Sequence, residues 1–440
     1  QSPVPLHIIK VMKKDAGKIM TTPNGATPLN GRIAFLDFLF CWPPKGGADV
    51  DVYSVMTGLH RRGCQVKLFV PAFAGCPGRG EVEADALSFP VEIVPVPRKR
   101  QQLPALAEQL QKALDGWRPD IVIVCHGYLL KTALIPMLKA KTLISRIYAN
   151  EIFCLKDAFH YKDGAPCPLY LHKEPELCRK CAAEHLETQV KKGLWDPWTH
   201  EYIITRGWDS SFGTAHRNAL DRLDSIIVYN EGIKGALSPW DNKVTVIPGG
   251  ITAEPVVSAS AHSEKQGQGM RVLMAGRVED PLKGLAVLEE ACCALRRKGY
   301  AFEVQVTHYD PFFGRPELKA TGWLSHEETL ALYRNAHIAV VPSLWEEAFG
   351  LVAVEAMAAG VPVCASRTGG LQEIIEEGKT GFLFKPGDSA ALADVLEKLL
   401  QDPVLRKRMG DAAQQRALEE YAWDKVIEKH YIPLLKGFLP

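Results

Sequence analysis

Two glutamates in the stretch SLWEEAFGLVAVEAMAAGVP, residues 343–362, are the residues here best placed to do chemistry. The strand-like run 338–342 leads through a turn into a helix expected over 350–359, stopped by Gly360 and Val361-Pro362. Glu347 then sits at the helix mouth, and Glu355 lies about a turn and a half inside. Unpaired N–H groups at such a mouth carry positive potential and suit an anion such as phosphate. Ionised Glu only accepts hydrogen bonds, so the pair could hold sugar hydroxyls of a ligand whose phosphates rest on the mouth. Each residue also has a bland explanation. Glu347 favours the helix dipole by itself, and Glu355 could simply reach solvent.

Neighbouring loops favour the chemical reading. In AGRVEDPLKG, residues 275–284, Arg277 and Lys283 project from a strand-to-helix turn and could neutralise a diphosphate without a metal. SRTGGLQE at 366–373 is a similar turn whose paired glycines allow close backbone approach. IPGGI, with Gly249 and Gly250, and PPKGGAD, with Gly46 and Gly47 at the mouth of an earlier helix, complete the set. One glycine pair signals only a turn; four such loops, with the helix mouth as a fifth, around two carboxylates and two cations signal a ligand site.

The elements that must position these residues alternate. In the first half, strands are expected at 32–40, 65–70, 91–96 and 120–127, with helices at 48–62 and 103–116. The second half restarts the theme, with strands at 225–230, 244–247, 271–275, 302–306, 338–341, 361–365 and 382–384. Its helices are expected at 284–298, 326–335, 350–359, 371–376, 389–400 and 404–419. Short apolar strands alternating with helices make an α/β chain of parallel βα units, here two doubly wound Rossmann-like domains facing each other across a cleft. The boundaries read as an N-terminal extension 1–31, a first domain 32–243, a second domain 244–420 and a terminal helix 421–440. The block of about 150–215, rich in Cys, His and Trp, reads as irregular and not as a βα unit. SASAHSEKQGQG at 258–269 reads as a polar loop.

Composition narrows the function classes. A chain of 440 residues exceeds what one core usually supports. Its balance of apolar and charged residues is that of an ordinary soluble globular protein. A net charge of +1 gives no case for nucleic acid as the main partner. Arg98-Lys99-Arg100 reads as a solvated loop. No window matches a transmembrane helix, and residues 1–12 show neither a long apolar core nor a cleavage site. A cytoplasmic protein is expected, with peripheral membrane contact left open.

On these residues the chain resembles the family 4 retaining glycosyltransferases of the GT-B fold. The stretches that carry the resemblance are PPKGGADVDVYSVMTGLHRRGCQV, VTVIPGGI, VLMAGRVEDPLKG, IAVVPSLWEEAFGLVAVEAMAAGVPVCASRTGG and LQEIIEEGKTGFLF. The E-x7-E motif from Glu347 to Glu355 is its most specific part. The resemblance implies that Arg277 and Lys283 hold the donor diphosphate, that Glu347 binds the donor sugar and that Glu355 binds the ribose. It further implies that Gly350, Leu351 and Val352 complete the donor site and that Gly46, Gly47, Gly249 and Gly250 approach it. The implied partners are a nucleotide-sugar donor, UDP- before GDP-linked, and a glycan, lipid-linked or small-molecule acceptor; no catalytic metal is expected. Two other functions fit the same fold: a sugar-nucleotide epimerase, and a non-catalytic nucleotide-sugar binder.

The pattern departs from the family at two places. Arg277 and Lys283 are six positions apart, where the family often has five. The family also usually carries a His at the end of the fifth strand, where this chain reads SRIYANEIFC, offering Tyr148, Asn150 or Glu151. His126, which ends the preceding strand, is the candidate for a catalytic role beside the sugar. In the 150–215 block, Cys154, Cys167, Cys178 and Cys181 form a candidate structural zinc site, with His160, His172 and His185 as substitutes for Cys154. Disulfides and unbound thiols are the alternatives. The Trp-rich stretch 193–213 that follows is expected to serve acceptor recognition, since indole faces stack on sugars.

Overall fold

The computed structural model describes residues 29–76, 79–193, 196–252, 269–310, 317–322 and 324–439. Nearly all of the 1–31 extension, all but the last residue of the polar loop 258–269, and Trp195 lie outside the described residues.

The first half contributes β1 (Arg32–Leu36), β2 (Gln65–Phe73), β3 (Val91–Val96), β4 (Ile121–Val124), β5 (Thr142–Arg146), β6 (Tyr161–Lys162), β7 (Ala165–Pro166), β8 (Ser225–Val228) and β9 (Val244–Val246). Seven of these form a parallel sheet ordered β3-β2-β1-β4-β5-β8-β9, while β6 and β7 make a separate antiparallel hairpin. The second half contributes β10 (Arg271–Met274), β11 (Glu303–Val306), β12 (Lys319–Ala320), β13 (Ile338–Val341), β14 (Val363–Ser366) and β15 (Gly381–Phe384). These form a parallel sheet ordered β12-β11-β10-β13-β14-β15.

Both sheets are buried on two faces, which is why their strands read as continuous apolar runs. Along β1, Ile33 and Phe35 enter one core while Ala34 and Leu36 enter another. Strand order reverses between β1 and β4 in the first sheet and between β10 and β13 in the second. The loops leaving those four strands therefore border the two crevices where doubly wound sheets take ligands. His126 follows β4, Arg277 and Lys283 follow β10, and Glu347 follows β13. Topology alone gathers the candidate residues.

Three expectations need correction. β9 pairs with β8 in register Ile226↔Val244, so residues 244–246 belong to the first sheet and the crossing between domains lies after them. At the crossing, Ile251 N–H donates to Tyr421 O and Trp423 N–H donates to Ile251 O, binding the outgoing and returning chain segments together. The returning segment then packs Trp423, Val426, Ile427, Tyr431 and Leu435 into the first domain's core. A Cβ at Gly58 would stand 2.0 Å from Ile427 Cδ1, so the helix Gly47–Arg61 needs a glycine where the terminal segment crosses it.

The block 150–215 is the second correction, because much of it is helical: Pro175–Lys191, Pro197–Ile204 and the start of Phe212–Arg222. Only Cys178 and Ala182 are buried along the first of these helices, so it shows no apolar period to read. Its cysteines are the third correction. All four are free thiols, so no disulfide forms. Among the described residues, no group of three or more His, Cys, Asp or Glu is arranged to hold a metal. Cys178 instead packs with Leu129, Leu155, Leu171, Ala182, Tyr202 and Phe212, and burial pushes its thiol up to about 12. It behaves as a small hydrophobe.

Candidate active site

The loop from β13 to the helix Leu351–Ala358 carries the site. Glu347 is buried, and three donors converge on its Oε1: Lys283 Nζ at 2.6 Å, Ser343 Oγ at 2.7 Å and Trp345 Nε1 at 3.1 Å. The Lys283 ammonium also lies 4.9 Å from the centre of the Trp345 ring. With Oε1 saturated, the orientation of the carboxylate is fixed and Oε2 remains for a hydroxyl. Ser343 and Trp345 are members of the candidate site that sequence reasoning missed. Their only signal is position, four and two residues before Glu347 on the same turn.

Glycines shape the same loop. Gly350 caps the helix at φ +112°, and a Cβ there would stand 2.6 Å from Leu371 Cδ2. Gly369, at φ +48°, leaves room for Glu347, whose carbonyl oxygen would lie 2.1 Å from an added Cβ. Gly370 N–H donates to that same carbonyl at 2.7 Å, and Gly369 N–H donates to Glu346 Oε2 at 2.6 Å. The SRTGG turn therefore approaches the Glu347 loop itself rather than standing open for a ligand.

Lys283 ends a short turn, Pro281–Lys283, which Asp280 caps by accepting from Leu282 N–H. Leu344 N–H donates to Leu282 O at 2.8 Å, fastening this turn to the Glu347 loop. The six-position spacing is thus accommodated by one capped turn. Arg277 is exposed at the start of the same loop, and its charge reaches the Tyr128 phenol of the first domain. Gly276 would place a Cβ 3.5 Å from Val352 Cγ1, and Gly47 would place one 3.6 Å from Leu351 Cδ2. Gly47 of the first domain thus faces the helix mouth directly, with Gly46 beside it in open space.

Gly249 and Gly250 lie where the chain crosses between the domains. Added Cβ atoms would stand 2.6 Å from the Phe349 ring and 2.6 Å from the Trp423 ring, respectively, and both glycines are buried. Both therefore pack against rings at the domain crossing.

Glu355 lies inside the helix, only 6% exposed, and burial pushes its carboxyl up to about 8 despite the Tyr333 phenol beside it. A carboxyl held neutral at pH 7 can both donate and accept, which suits a vicinal diol.

Across the cleft, Asp37 accepts N–H bonds from Leu39, Phe40 and His126, tying the ends of β1 and β4 together. Its burial pushes the carboxyl up to about 7. His126 is half-buried, with its ring between Tyr128 and Tyr148. Burial, then the Lys131 and Arg79 cations, push its imidazole down to about 3. It is a neutral group at any ordinary pH. Behind it lie the buried pairs Lys131–Glu151 and Arg79–Glu201, each at 2.5 Å. At the end of β5, Tyr148 faces His126, whereas Glu151 is paired inward and Asn150 donates to Phe159 O and Glu346 O. Trp198 meets Tyr128 with ring centres 4.4 Å apart and tilted by 37°, placing one tryptophan of the Trp-rich stretch beside His126's neighbour, while Trp208 is 42% exposed and lies tilted against Tyr202.

Comparison with solved structures decides the architecture. The chain matches sucrose-phosphate synthase from Thermosynechococcus elongatus with TM-score 0.64 at 19% identity, covering 92% of this chain and 99% of that one. It matches Anabaena HepE, solved in complex with UDP-glucose, with TM-score 0.63 at 16% identity, covering 92% and 100%. The fold is GT-B. Within this GT-B chain, residues 45–147 match the model described as Glycosyltransferase Family 4, and residues 313–416 match that of Glycosyl transferases group 1. One match lies in each domain. A phosphatidyl-myo-inositol mannosyltransferase of Mycobacterium leprae is 34% identical over 255 residues, 55% of this chain and 61% of the relative. A D-inositol 3-phosphate glycosyltransferase of an Arthrobacter species is 37% identical over 192 residues, 37% of this chain and 45% of the relative. The chain spans about half the length of these two curated relatives.

Proposed function

We propose that the protein is a retaining glycosyltransferase that moves a sugar from a nucleoside diphosphate sugar, UDP- before GDP-linked, to a hydroxyl of its acceptor. The observation that carries this reading is the convergence of Lys283, Ser343 and Trp345 on one oxygen of Glu347 at the mouth of the helix that buries Glu355. That arrangement offers hydroxyl acceptors at two depths beside an anion-binding mouth. The curated relatives with glycosyltransferase names and the UDP-glucose held by HepE support the same class of donor.

Each residue has a role in this mechanism. Arg277, Lys283 and the amides at Gly350, Leu351 and Val352 take up the negative charge that grows on the leaving diphosphate. Those fixed cations stand where another site would use a metal. Glu347 Oε2 holds a sugar hydroxyl and places the anomeric carbon, while Glu355 holds the ribose. The C1–O bond to phosphate breaks through an oxocarbenium-like state, and the acceptor oxygen bonds C1 on the same face. The departing phosphate oxygen takes the acceptor's proton. His126 stays neutral and serves as a hydrogen-bonding wall of the sugar pocket.

A thermal-shift series with UDP, GDP, ADP and their sugar conjugates, in EDTA and in magnesium, tests the donor. A rise in melting temperature with one nucleotide family, retained in EDTA and lost in Glu355→Ala, is expected. No shift with any nucleotide would overturn the reading. Product anomericity by NMR then checks retention.

A further inference from the structure

We propose that Asn150 and Phe159, in the Cys-bearing insert of the first domain, are positioning residues for Glu347 in the second, acting through Trp345. The inference rests on the donor reading above. Phe159 meets the Trp345 indole edge to face, with ring centres 5.1 Å apart at 80°. Asn150 Nδ2 donates to Glu346 O at 3.2 Å and to Phe159 O at 3.4 Å. Trp345 is in turn one of the three donors to Glu347 Oε1. Two first-domain residues thus bear on this turn, Phe159 on the indole itself and Asn150 on the backbone of the next residue.

The insert is built to present that ring. Asp157 Oδ1 accepts from Phe159 N–H at 2.9 Å and His160 N–H at 3.1 Å, folding the turn that carries Phe159. His160 adopts a left-handed backbone, φ +53°, which a non-glycine residue holds only when its surroundings enforce it. Those surroundings are visible: His160 O accepts from Cys167 N–H, and its ring bonds Leu169 O at 2.5 Å. Asn150 N–H closes the loop by donating to Ala158 O. This hydrogen-bonded turn, with one left-handed residue, carries a first-domain contact to the other domain. When the domains separate, Trp345 loses this edge support while Lys283 and Ser343, both in the second domain, stay. Full alignment of Glu347 therefore requires the closed form, so donor cleavage is coupled to seating of the insert.

The test uses the full chain labelled with 5-fluorotryptophan, the Trp345 resonance being assigned by its loss in Trp345→Phe. Phe159→Ala and Asn150→Ala are expected to shift that resonance. They should lower kcat for transfer or donor hydrolysis about tenfold, leaving nucleotide affinity within about twofold. Phe159→Tyr should restore both resonance and rate. The turnover panel is UDP-glucose, UDP-galactose, UDP-N-acetylglucosamine, GDP-mannose and ADP-glucose. An unmoved resonance, or an unchanged kcat, overturns the proposal. So does a rate loss that tracks nucleotide affinity and melting temperature and is not restored by tyrosine, which marks a purely structural contact. A resonance shift without turnover on any donor in the panel would sink the donor reading and leave the contact standing, since the spectrum needs no donor.

Discussion

Lys283 Nζ lies 2.6 Å from Glu347 Oε1, joining the loop after β10 to the loop after β13 by one charge-assisted bond. Both side chains are mostly shielded, at 20% and 10% exposure, so the pair aligns two groups as well as neutralising them. Replacing Lys283 with Ala removes the cation proposed to meet the donor phosphates and leaves a shielded carboxylate with only Ser343 and Trp345. A kcat/KM loss of about 10²–10³-fold is expected, the scale of deleting one preorganised donor. Lys283→Arg should recover only part of it, because a planar fork does not fill the place of a point charge under the indole. Steady-state rates with a saturating acceptor check both.

Glu355 gives a pH signature. Its carboxyl is raised to about 8 by burial, whereas an unfolded Glu ionises near 4.5. Below about 4.5 both states hold the proton and the group adds no pH dependence. As pH rises from there to about 8, the unfolded state releases its proton first, so stability falls; above 8 the slope from this group vanishes. Glu355→Gln removes that slope. The melting temperature of the variant relative to the native chain should climb between pH 5 and pH 8, and equal differences at both ends would refute it.

Much of this was legible from sequence, and the reasons are specific. β13 and the helix Leu351–Ala358 announce themselves by apolar runs closed with Gly360, so the places of Glu347 and Glu355 follow. What stays hidden is long-range or disguised. Trp345 carries no signal in the sequence until its indole N–H is seen on Glu347. Asn150 contacts Glu346 across 196 positions, which no local pattern encodes. At Gly249 and Gly250 the glycine pair is legible in the sequence, but the Phe349 and Trp423 rings packed against it are not. The four cysteines have metal-like spacing, yet Cys178 points into an apolar cluster.

His126 is expected to contribute no limb to the pH–rate profile. Its imidazole is lowered to about 3, so it is neutral throughout the working range and cannot cycle a proton near pH 7. His126→Asn keeps a neutral hydrogen-bonding side chain and should retain a profile parallel to that of the native chain between pH 5.5 and 9, at a reduced rate. His126→Ala should cost more. Loss of an acid limb in His126→Asn would mean the imidazole titrates during turnover.

Gly369 and Gly46 make a matched pair for backbone placement. At Gly369 the left-handed φ and the approach to Glu347 O and N leave a methyl group no space. Gly369→Ala must therefore displace the very residue proposed to hold the donor sugar. The cost is expected at about 2–3 kcal/mol of stability, with donor affinity falling as well. Gly46 has extended backbone, and nothing lies within 4 Å of an added Cβ. Gly46→Ala should leave stability nearly unchanged, so any loss of donor or acceptor affinity reports a ligand in that space. Denaturant unfolding of both variants, followed by nucleotide titration, separates the two effects. A stable Gly369→Ala with full donor affinity would show that the SRTGG turn does not set the position of Glu347.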